Sequence, residues 1–201
     1  MSQRDHEHMR QHLAQRAAQI LLESGTRDFQ SAKQKAAQQL GAAETKSLPS
    51  NSEIESALVD YQRLFRSNSQ PENLQRLRQI AIEAMQFLGD FNPRLVGSVL
   101  RGTADEHSII RIHLFAETVE SVGFYLQDNK IPGELGERRL RTGIDQYQNY
   151  STYEFIVDEA RVELTVFLPK QRQIPLSPVD GKTMKRADIT EVEELLHQSN
   201  V

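Results

Sequence analysis

The chain has 201 residues, which is enough for one medium-sized domain, or for a smaller domain with an appendage, that buries a core of its own. It contains no cysteine, which excludes disulfides, a thiolate nucleophile and a cysteine zinc site, and its net charge of −4 argues against an extended nucleic-acid surface. Apolar residues make up 38% and charged residues 26%, and no run approaches the roughly 20 apolar residues of a membrane span. Because the first residues also lack the apolar core of a signal peptide, we expect a soluble, cytoplasmic protein that does not contact membranes.

The first third of the sequence has the three- and four-residue spacing of apolar side chains that indicates amphipathic helices. Two such stripes, each followed by a glycine that can end a helix, are Met9, Leu13, Ala17, Ile20 and Leu21 before Gly25, and Phe29, Ala32, Ala36 and Leu40 before Gly41. Ser52 and Glu55 have the spacing of a capping box, which predicts the start of a third helix that ends near Phe65. We therefore expect residues 1–68 to form an all-helical module.

The segment RSNSQP marks a boundary, after which residues 69–170 show a different pattern. Pro71 suits the first turn of a fourth helix, and beyond Gly89 short runs of β-forming residues begin. From Leu74 the predicted order is helix, strand, strand, helix and three strands, with a tight turn at residues 158–160. This order predicts an α+β fold, a mixed β-sheet flanked by helices, and a proline-rich loop with a short C-terminal helix over residues 171–201.

Gly97 and Ser98 stand where the first short β-run ends, and Arg101 with Gly102 begin the turn into the next strand. A glycine at such a corner lets the backbone approach a ligand closely, and its amide and the serine hydroxyl can hold a phosphate oxygen. The same dipeptide is also common in plain turns between strands, and the two residues alone leave both interpretations open.

The wider segment GSVLRGTADEHS, with the apolar strand after it, resembles the turn of the nucleotidyltransferase superfamily, the DNA polymerase beta-like fold. The positions that match the family pattern are Gly97, Ser98, Arg101, Gly102, Ala104 and Ser108. The resemblance extends over about residues 74–168 and implies a nucleotidyltransferase-like sheet in which Glu163 is the third acid. The chain is also similar to a group of uncharacterised bacterial proteins with the same helical N-terminus, LPSN linker and PLSPVDG tail.

The resemblance breaks down at the residues that carry the family's chemistry. The family holds two Mg²⁺ ions on three carboxylates, yet the two acid positions after Ser108 are Ile109 and Arg111 here. Alternation along the strand places Ile109, Arg111, His113 and Phe115 on the side of the expected site. A hydrocarbon and a cation cannot replace oxygen ligands, so we expect no metal ligands and no cofactor.

Arg111 then has two alternative roles. With Arg101 it can bind a phosphate or carboxylate directly through bidentate hydrogen bonds, or it can pair with Glu163 across the sheet as a structural ion pair. The candidate ligand-binding residues are accordingly Gly97, Ser98, Arg101, Gly102, Ser108, Arg111 and His113, with Glu163 as a remnant acid. His107 is a candidate base beside this turn, and His8 with His12 have a metal-compatible spacing on a helix that we expect to be a solvated surface.

These observations favour a catalytically degenerate nucleotidyltransferase-like protein, a pseudoenzyme that binds a phosphorylated ligand or a protein partner without transfer. An active nucleotidyltransferase that uses Mg²⁺ and a nucleoside triphosphate on relocated carboxylates is the first alternative. A non-enzymatic structural adaptor that binds RNA or protein is the second. The expected partners are a nucleotide or phosphorylated small molecule, or a protein or second copy docked on the N-terminal helices; the basic run ERRLR leaves nucleic acid open as a less favoured partner.

Overall fold

The structure is a computed structural model that describes residues 3–24, 28–42, 47–65, 69–171 and 173–198. The chain divides into two compact units, residues 1–70 with 178–180 and residues 71–177 with 181–201. The predicted helix stop at Gly25 and the first half of the predicted boundary segment, residues 66–68, lie outside the described residues.

The first unit is helical. Its helices are α1 (Gln3–Ser24), α2 (Phe29–Gln39) and α3 (Asn51–Phe65). Helix α1 packs against both of the others, because its predicted apolar stripe is buried together with one face of each. The most deeply buried members of this core are Leu13, Ala17, Ala18, Leu21, Ala32, Ala36, Ile54 and Leu58. The helical nature of this part of the chain and its apolar stripes agree with the sequence prediction.

The capping box of α3 lies two residues earlier than predicted. The Ser50 hydroxyl accepts a hydrogen bond from the Glu53 N–H at 3.2 Å, and the Glu53 carboxylate accepts one from the Ser50 N–H at 2.7 Å. Ser52 and Glu55 lie inside the helix instead. Both serine–glutamate pairs have the spacing of a capping box. Pro49 directly precedes the first pair, and a proline favours extended backbone in the residue before it, which suits the start of a helix. Hydrogen bonding to Arg10, and then to Ser50, holds the pKa of Glu53 at about 2.

We predict that Ser50→Ala lowers the free energy of unfolding by about 1 kcal/mol, because the Glu53 N–H loses its acceptor at the start of α3. The measurement is urea unfolding of the full chain, followed by circular dichroism at pH 7. Ser56→Ala is the matched control, since Ser56 is exposed in the middle of the same helix, and alanine there should leave stability unchanged or slightly higher. Equal effects of the two substitutions would contradict the assignment of the cap.

The second unit is an α+β structure, as the sequence predicts. Its strands are β1 (Arg94–Val96), β2 (Ile110–Phe115), β3 (Glu134–Gly143), β4 (Gln146–Val157) and β5 (Ala160–Phe167). They form one five-stranded sheet in the order β1-β2-β5-β4-β3, in which β2 and β5 are parallel and the other neighbours are antiparallel. The sheet is therefore mixed, which is also as predicted.

The remaining helices belong to this second unit. They are α4 (Ser69–Phe87), a 3₁₀ turn (Gly89–Phe91), α5 (Gly97–Arg101), α6 (Val119–Asp128) and α7 (Ile189–Gln198). No helix within the described ranges combines the length and the apolar character that crossing a membrane requires.

The first face of the sheet carries the main core of this unit. Ile110, Ile112 and Leu114 of β2 are completely buried on it, as the alternation predicts. Their neighbours in the core come from the central strands and from α4 and α6, and include Leu77, Met85, Val122, Leu126, Val162 and Leu164. Between β4 and β5, Asp158 and Glu159 have φ values of 46° and 64°, so the predicted tight turn joins these two strands.

Candidate functional site

The turn between β1 and β2 is helical rather than a simple strand corner. The sequence predicted that Gly97 and Ser98 close the first strand at a corner between two strands, but β1 ends at Val96 and α5 covers Gly97–Arg101. Gly97 has φ of +81°, which turns the chain out of the strand, and Gly102 at φ +80° ends the helix, where its N–H donates to the Ser98 carbonyl. Two glycines in the left-handed region therefore bracket a single helical turn, which a β-propensity argument overlooks.

Gly97 and Ser98 border Arg111 of β2. Val96 is paired with Arg111 in the sheet, and a Cβ added to Gly97 would lie 3.9 Å from Arg111 Cδ. Ser98 is 3% exposed, and its hydroxyl makes no hydrogen bond with the part of the chain that the structure describes. A buried hydroxyl without a partner is uncommon, and it can both donate to and accept from a bound ligand.

Arg111 faces Glu163 across the parallel strand pair. The two residues are partners in the register of β2 and β5, and Arg111 Nε lies 3.4 Å from Glu163 Oε1. Arg138 of β3 makes a second ion pair with the same carboxylate oxygen. Since the side chains of Arg111 and Glu163 are only 19% and 14% exposed, this ion pair is largely shielded from water. The structure thus contains the Arg111–Glu163 pair that the sequence raised as one alternative.

These residues belong to the second face of the sheet, which we define by Arg111, His113 and Phe115 on β2. Directly paired residues point to the same side of a sheet, so Glu163 and Phe167 of β5 share this face. Phe167 also packs against Tyr150 and Leu140, and with Phe115 they form a small second cluster. The second face consequently has a charged end next to Gly97 and an aromatic end at Phe115.

His113 lies between these two ends and contacts an arginine from the C-terminal tail. Arg186 Nε donates to His113 Nδ1 at 3.0 Å, and the Arg186 guanidinium stacks over Phe167 and Phe115 at 4.7 and 5.1 Å from the ring centroids. Burial, reinforced by Arg186 and Arg138, holds the pKa of His113 well below its usual range. Because the neutral ring accepts at Nδ1, its proton resides on Nε2.

The second face is rich in arginine. Arg94 of β1 is paired with His113, and Arg161 is two residues from Glu163 on β5, so five arginines lie on this face: Arg94, Arg111, Arg138, Arg161 and Arg186. Glu163 of β5 forms ion pairs with Arg111 and Arg138, and Glu154, which is opposite Glu163 on β4, pairs with Arg161. Guanidinium groups in excess of carboxylates favour an anionic ligand and oppose a cation. Within the described ranges, no group of three or more His, Asp or Glu side chains is arranged to hold a metal ion.

The other predicted site residues have separate local roles. Arg101 is exposed at the end of α5, and Gly102 borders α4, where an added Cβ would lie 3.6 Å from Arg78 Nη2. The Ser108 hydroxyl donates to Asp105 Oδ1 at 2.8 Å and accepts from the Asp105 N–H at 2.9 Å. Arg101, Gly102 and Ser108 therefore belong to the turn between β1 and β2. The structure brings Gly97, Arg111 and Glu163 together in one group, and His113 with Arg186 in another.

The histidines outside the second face lie on exposed surface. His107 is 64% exposed and approaches Glu106 at 3.7 Å. His8 and His12 are exposed neighbours on α1 whose ring centroids are 4.2 Å apart. Exposed histidines of this kind are typical of a solvated surface, as expected for His8 and His12.

Sequence reasoning missed Arg94 and Arg186 and recognised Arg138 only as part of a basic run. Alternation along ERRLR places Arg138 and Leu140 on one side of β3, which could have separated Arg138 from its exposed neighbour Arg139. Arg186 reaches the sheet because the tail residue Ala187 pairs with Leu95. No local pattern in the tail indicates that pairing.

Comparison with family models gives no match for this sequence, and none of the curated proteins is detectably similar to it. The interpretation of the site therefore rests on its geometry.

We predict that Gly97→Ala lowers the free energy of unfolding by about 1 to 2 kcal/mol, because φ of +81° strains any residue with a Cβ. The space itself is adequate, since the added Cβ would make only an ordinary contact with Arg111. Gly89→Ala is the control: a Cβ there meets nothing within 4 Å, and its φ lies outside the left-handed region. Urea unfolding that ranks the two variants equally would contradict this conformational explanation.

We predict that Arg111→Met and Arg138→Met are more destabilising together than the sum of the single variants. Each single change should cost about 1 kcal/mol, because the other guanidinium still contacts Glu163, whereas the double variant leaves a shielded carboxylate without a cation. Arg161→Met is the control, because Arg161 is 57% exposed and pairs with Glu154 instead. Strict additivity in a double-mutant cycle of urea unfolding would refute the shared ion pair.

Proposed function

We propose that the protein binds a phosphorylated ligand on the second face of its sheet, as a degenerate nucleotidyltransferase-like protein that does not transfer nucleotides. The observation that carries the proposal is the concentration of arginine on this face, where Arg111 and Arg138 share the carboxylate of Glu163 and Arg94 and Arg186 lie beside His113. Guanidinium groups bind phosphate through paired, charge-assisted hydrogen bonds. A phosphate group at this site would therefore compensate the excess positive charge.

The surroundings of Gly97 support the same proposal. The turn at Gly97 brings backbone close to Arg111, and the unpartnered Ser98 hydroxyl is the next residue along the chain. Backbone amides, hydroxyl groups and guanidinium groups are the donors that commonly bind phosphate oxygens in proteins. The resemblance noted in the sequence assigns phosphate contacts to the same glycine–serine pair.

The absence of transfer follows from the identity of the residues on β2. Position 111 carries a cation, and Arg111 with Arg138 already neutralises Glu163, the one acid left from the family's trio. A magnesium ion would have to displace two guanidinium groups from that carboxylate and would still lie beside them. The site thus favours binding an anion directly rather than through a metal ion.

The proposal predicts that ATP in the presence of EDTA raises the melting temperature of the protein, since the arginines replace the metal. Arg111→Lys keeps the charge and the contact with Glu163 but loses the planar fork, so it should weaken ATP binding by about tenfold while the fold persists. Arg139→Lys is the matched control, because Arg139 lies on β3 beside Arg138 but stacks on Tyr147. Titration calorimetry with ATP gives the affinities.

Three results would contradict the proposal in different ways. A shift that requires Mg²⁺, or incorporation of a labelled nucleotide, would favour the active enzyme with relocated carboxylates. No shift with ATP, pyrophosphate or inorganic phosphate would favour the adaptor, with Arg111 and Glu163 as a purely structural ion pair. An equal loss of ATP affinity in Arg111→Lys and Arg139→Lys would place the ligand elsewhere.

A further inference from the structure

The tail reaches the sheet through backbone pairing with β1. The Leu95 N–H donates to the Ala187 carbonyl at 2.8 Å, and the Ala187 N–H donates to the Leu95 carbonyl at 3.0 Å. Leu95 and Ala187 are both buried on the first face, at 0% and 5% exposure. Since side chains alternate along an extended segment, the preceding residue, Arg186, points to the second face.

Arg186 is held in place by groups that leave part of its guanidinium without an acceptor. Phe115 and Phe167 support its plane, and Nε is bonded to His113. Nη2 is buried and makes no hydrogen bond to any residue in the described ranges. A buried guanidinium N–H that lacks an acceptor is costly, and a carboxylate or phosphate oxygen is the acceptor that suits it best.

The charges around Arg186 also favour an anion. Burial and the neighbouring Arg94 lower the pKa of Arg186, and the phenol of Tyr150 is the neighbour that opposes this shift. Arg94 lies on the same face, since it is paired with His113, the residue that Arg186 contacts. Two arginines therefore flank His113, and no carboxylate is among the groups that act on Arg186.

The distance between this pair of arginines and Arg111 follows from the strand. Arg111 and His113 are two residues apart on the same face of β2, which corresponds to about 7 Å. The Arg186 guanidinium lies against His113, whereas Arg111 lies against Gly97. The second face thus presents two cationic centres, one at Arg111 and one at His113, on strand positions whose Cα atoms are about 7 Å apart.

We propose that Arg186 and Arg94 form a second anion subsite, so that the ligand of this protein carries two anionic groups about 7 Å apart. A small bisphosphate or a phosphate with a distant carboxylate has this chemistry. The proposal rests on the proposed function, because one of the two anionic groups is the phosphate at Arg111. The further step is that Arg186, in the C-terminal tail, binds the second anionic group of the ligand and so makes the site selective for ligands that carry two such groups.

The experiment is a titration series on the full chain with methylphosphonate and α,ω-alkylene bisphosphonates of increasing length. We expect affinity to rise with chain length, to exceed that of methylphosphonate by at least about tenfold where the phosphorus atoms are about 7 Å apart, and to fall again beyond that length. A ligand that uses a single cationic centre would show no such optimum.

Arg186→Met should remove the length optimum, so that no bisphosphonate binds tenfold more tightly than methylphosphonate does to the same variant, since methionine keeps an apolar stem over Phe115 and Phe167 but has no charge. Lys185→Met is the matched control, because Lys185 is the exposed neighbour in the same segment, and it should retain the optimum. Arg94→Met provides a second test at the same subsite if Arg186→Met fails to fold, as judged by circular dichroism. An optimum that survives in both Arg186→Met and Arg94→Met would overturn the inference.

The outcomes separate this inference from the proposed function. If methylphosphonate binds, and Arg111→Lys weakens it, while no bisphosphonate binds more tightly, the proposed function stands and the second subsite is refuted. If neither methylphosphonate nor any bisphosphonate binds, both are refuted together.

Discussion

The second unit depends on the in-register parallel pairing of β2 with β5. This register places Arg111 opposite Glu163 and Phe115 opposite Phe167, so it creates the charged end and the aromatic end of the second face at once. A slip of one residue would send every one of these side chains to the core face, which is filled by Ile110, Ile112 and Leu114. The apolar core on one side therefore enforces the polar arrangement on the other.

The arginine at position 111 of β2 determines which groups the second face of the sheet can hold. Glu163 is stabilised as an anion by two guanidinium groups, and its neighbour across the sheet, Glu154, is held by Arg161, which limits the repulsion between the two paired carboxylates. Arg186 and Arg94 remain as positive charge in a partly buried setting. Evolution toward stability alone would favour removing such charge, because partly buried guanidinium groups are costly to desolvate. Arg186 and Arg94 lie beside His113, whereas Arg111 lies beside the left-handed Gly97, so the positive charge extends along the second face.

The features that could be predicted from the sequence are those that depend on local patterns. The order of helices and strands, the alternation along β2 and the tight turn at Asp158 and Glu159 all follow from periodicity and from residues adjacent in the chain. The cap of α3 was misplaced because two serine–glutamate pairs with equal spacing stand side by side, and the helical turn at Gly97 was missed because β-forming residues surround it. The Arg111–Glu163 pair was foreseen as one alternative from the resemblance. Arg186 was not foreseen, because its position depends on pairing between a tail and a strand that are far apart in the chain.

Because the tail pairs with β1, the second face is completed only after the sheet itself has formed. During synthesis the five strands leave the ribosome before Arg186 and Ala187 do, so the sheet and its Arg111–Glu163 pair can form while the tail is still being made. Until Ala187 pairs with Leu95, Phe115 and Phe167 lack the guanidinium that covers them, and His113 lacks its hydrogen-bond donor. A nascent chain consequently exposes an incomplete second face until the segment with Arg186 and Ala187 has been synthesised.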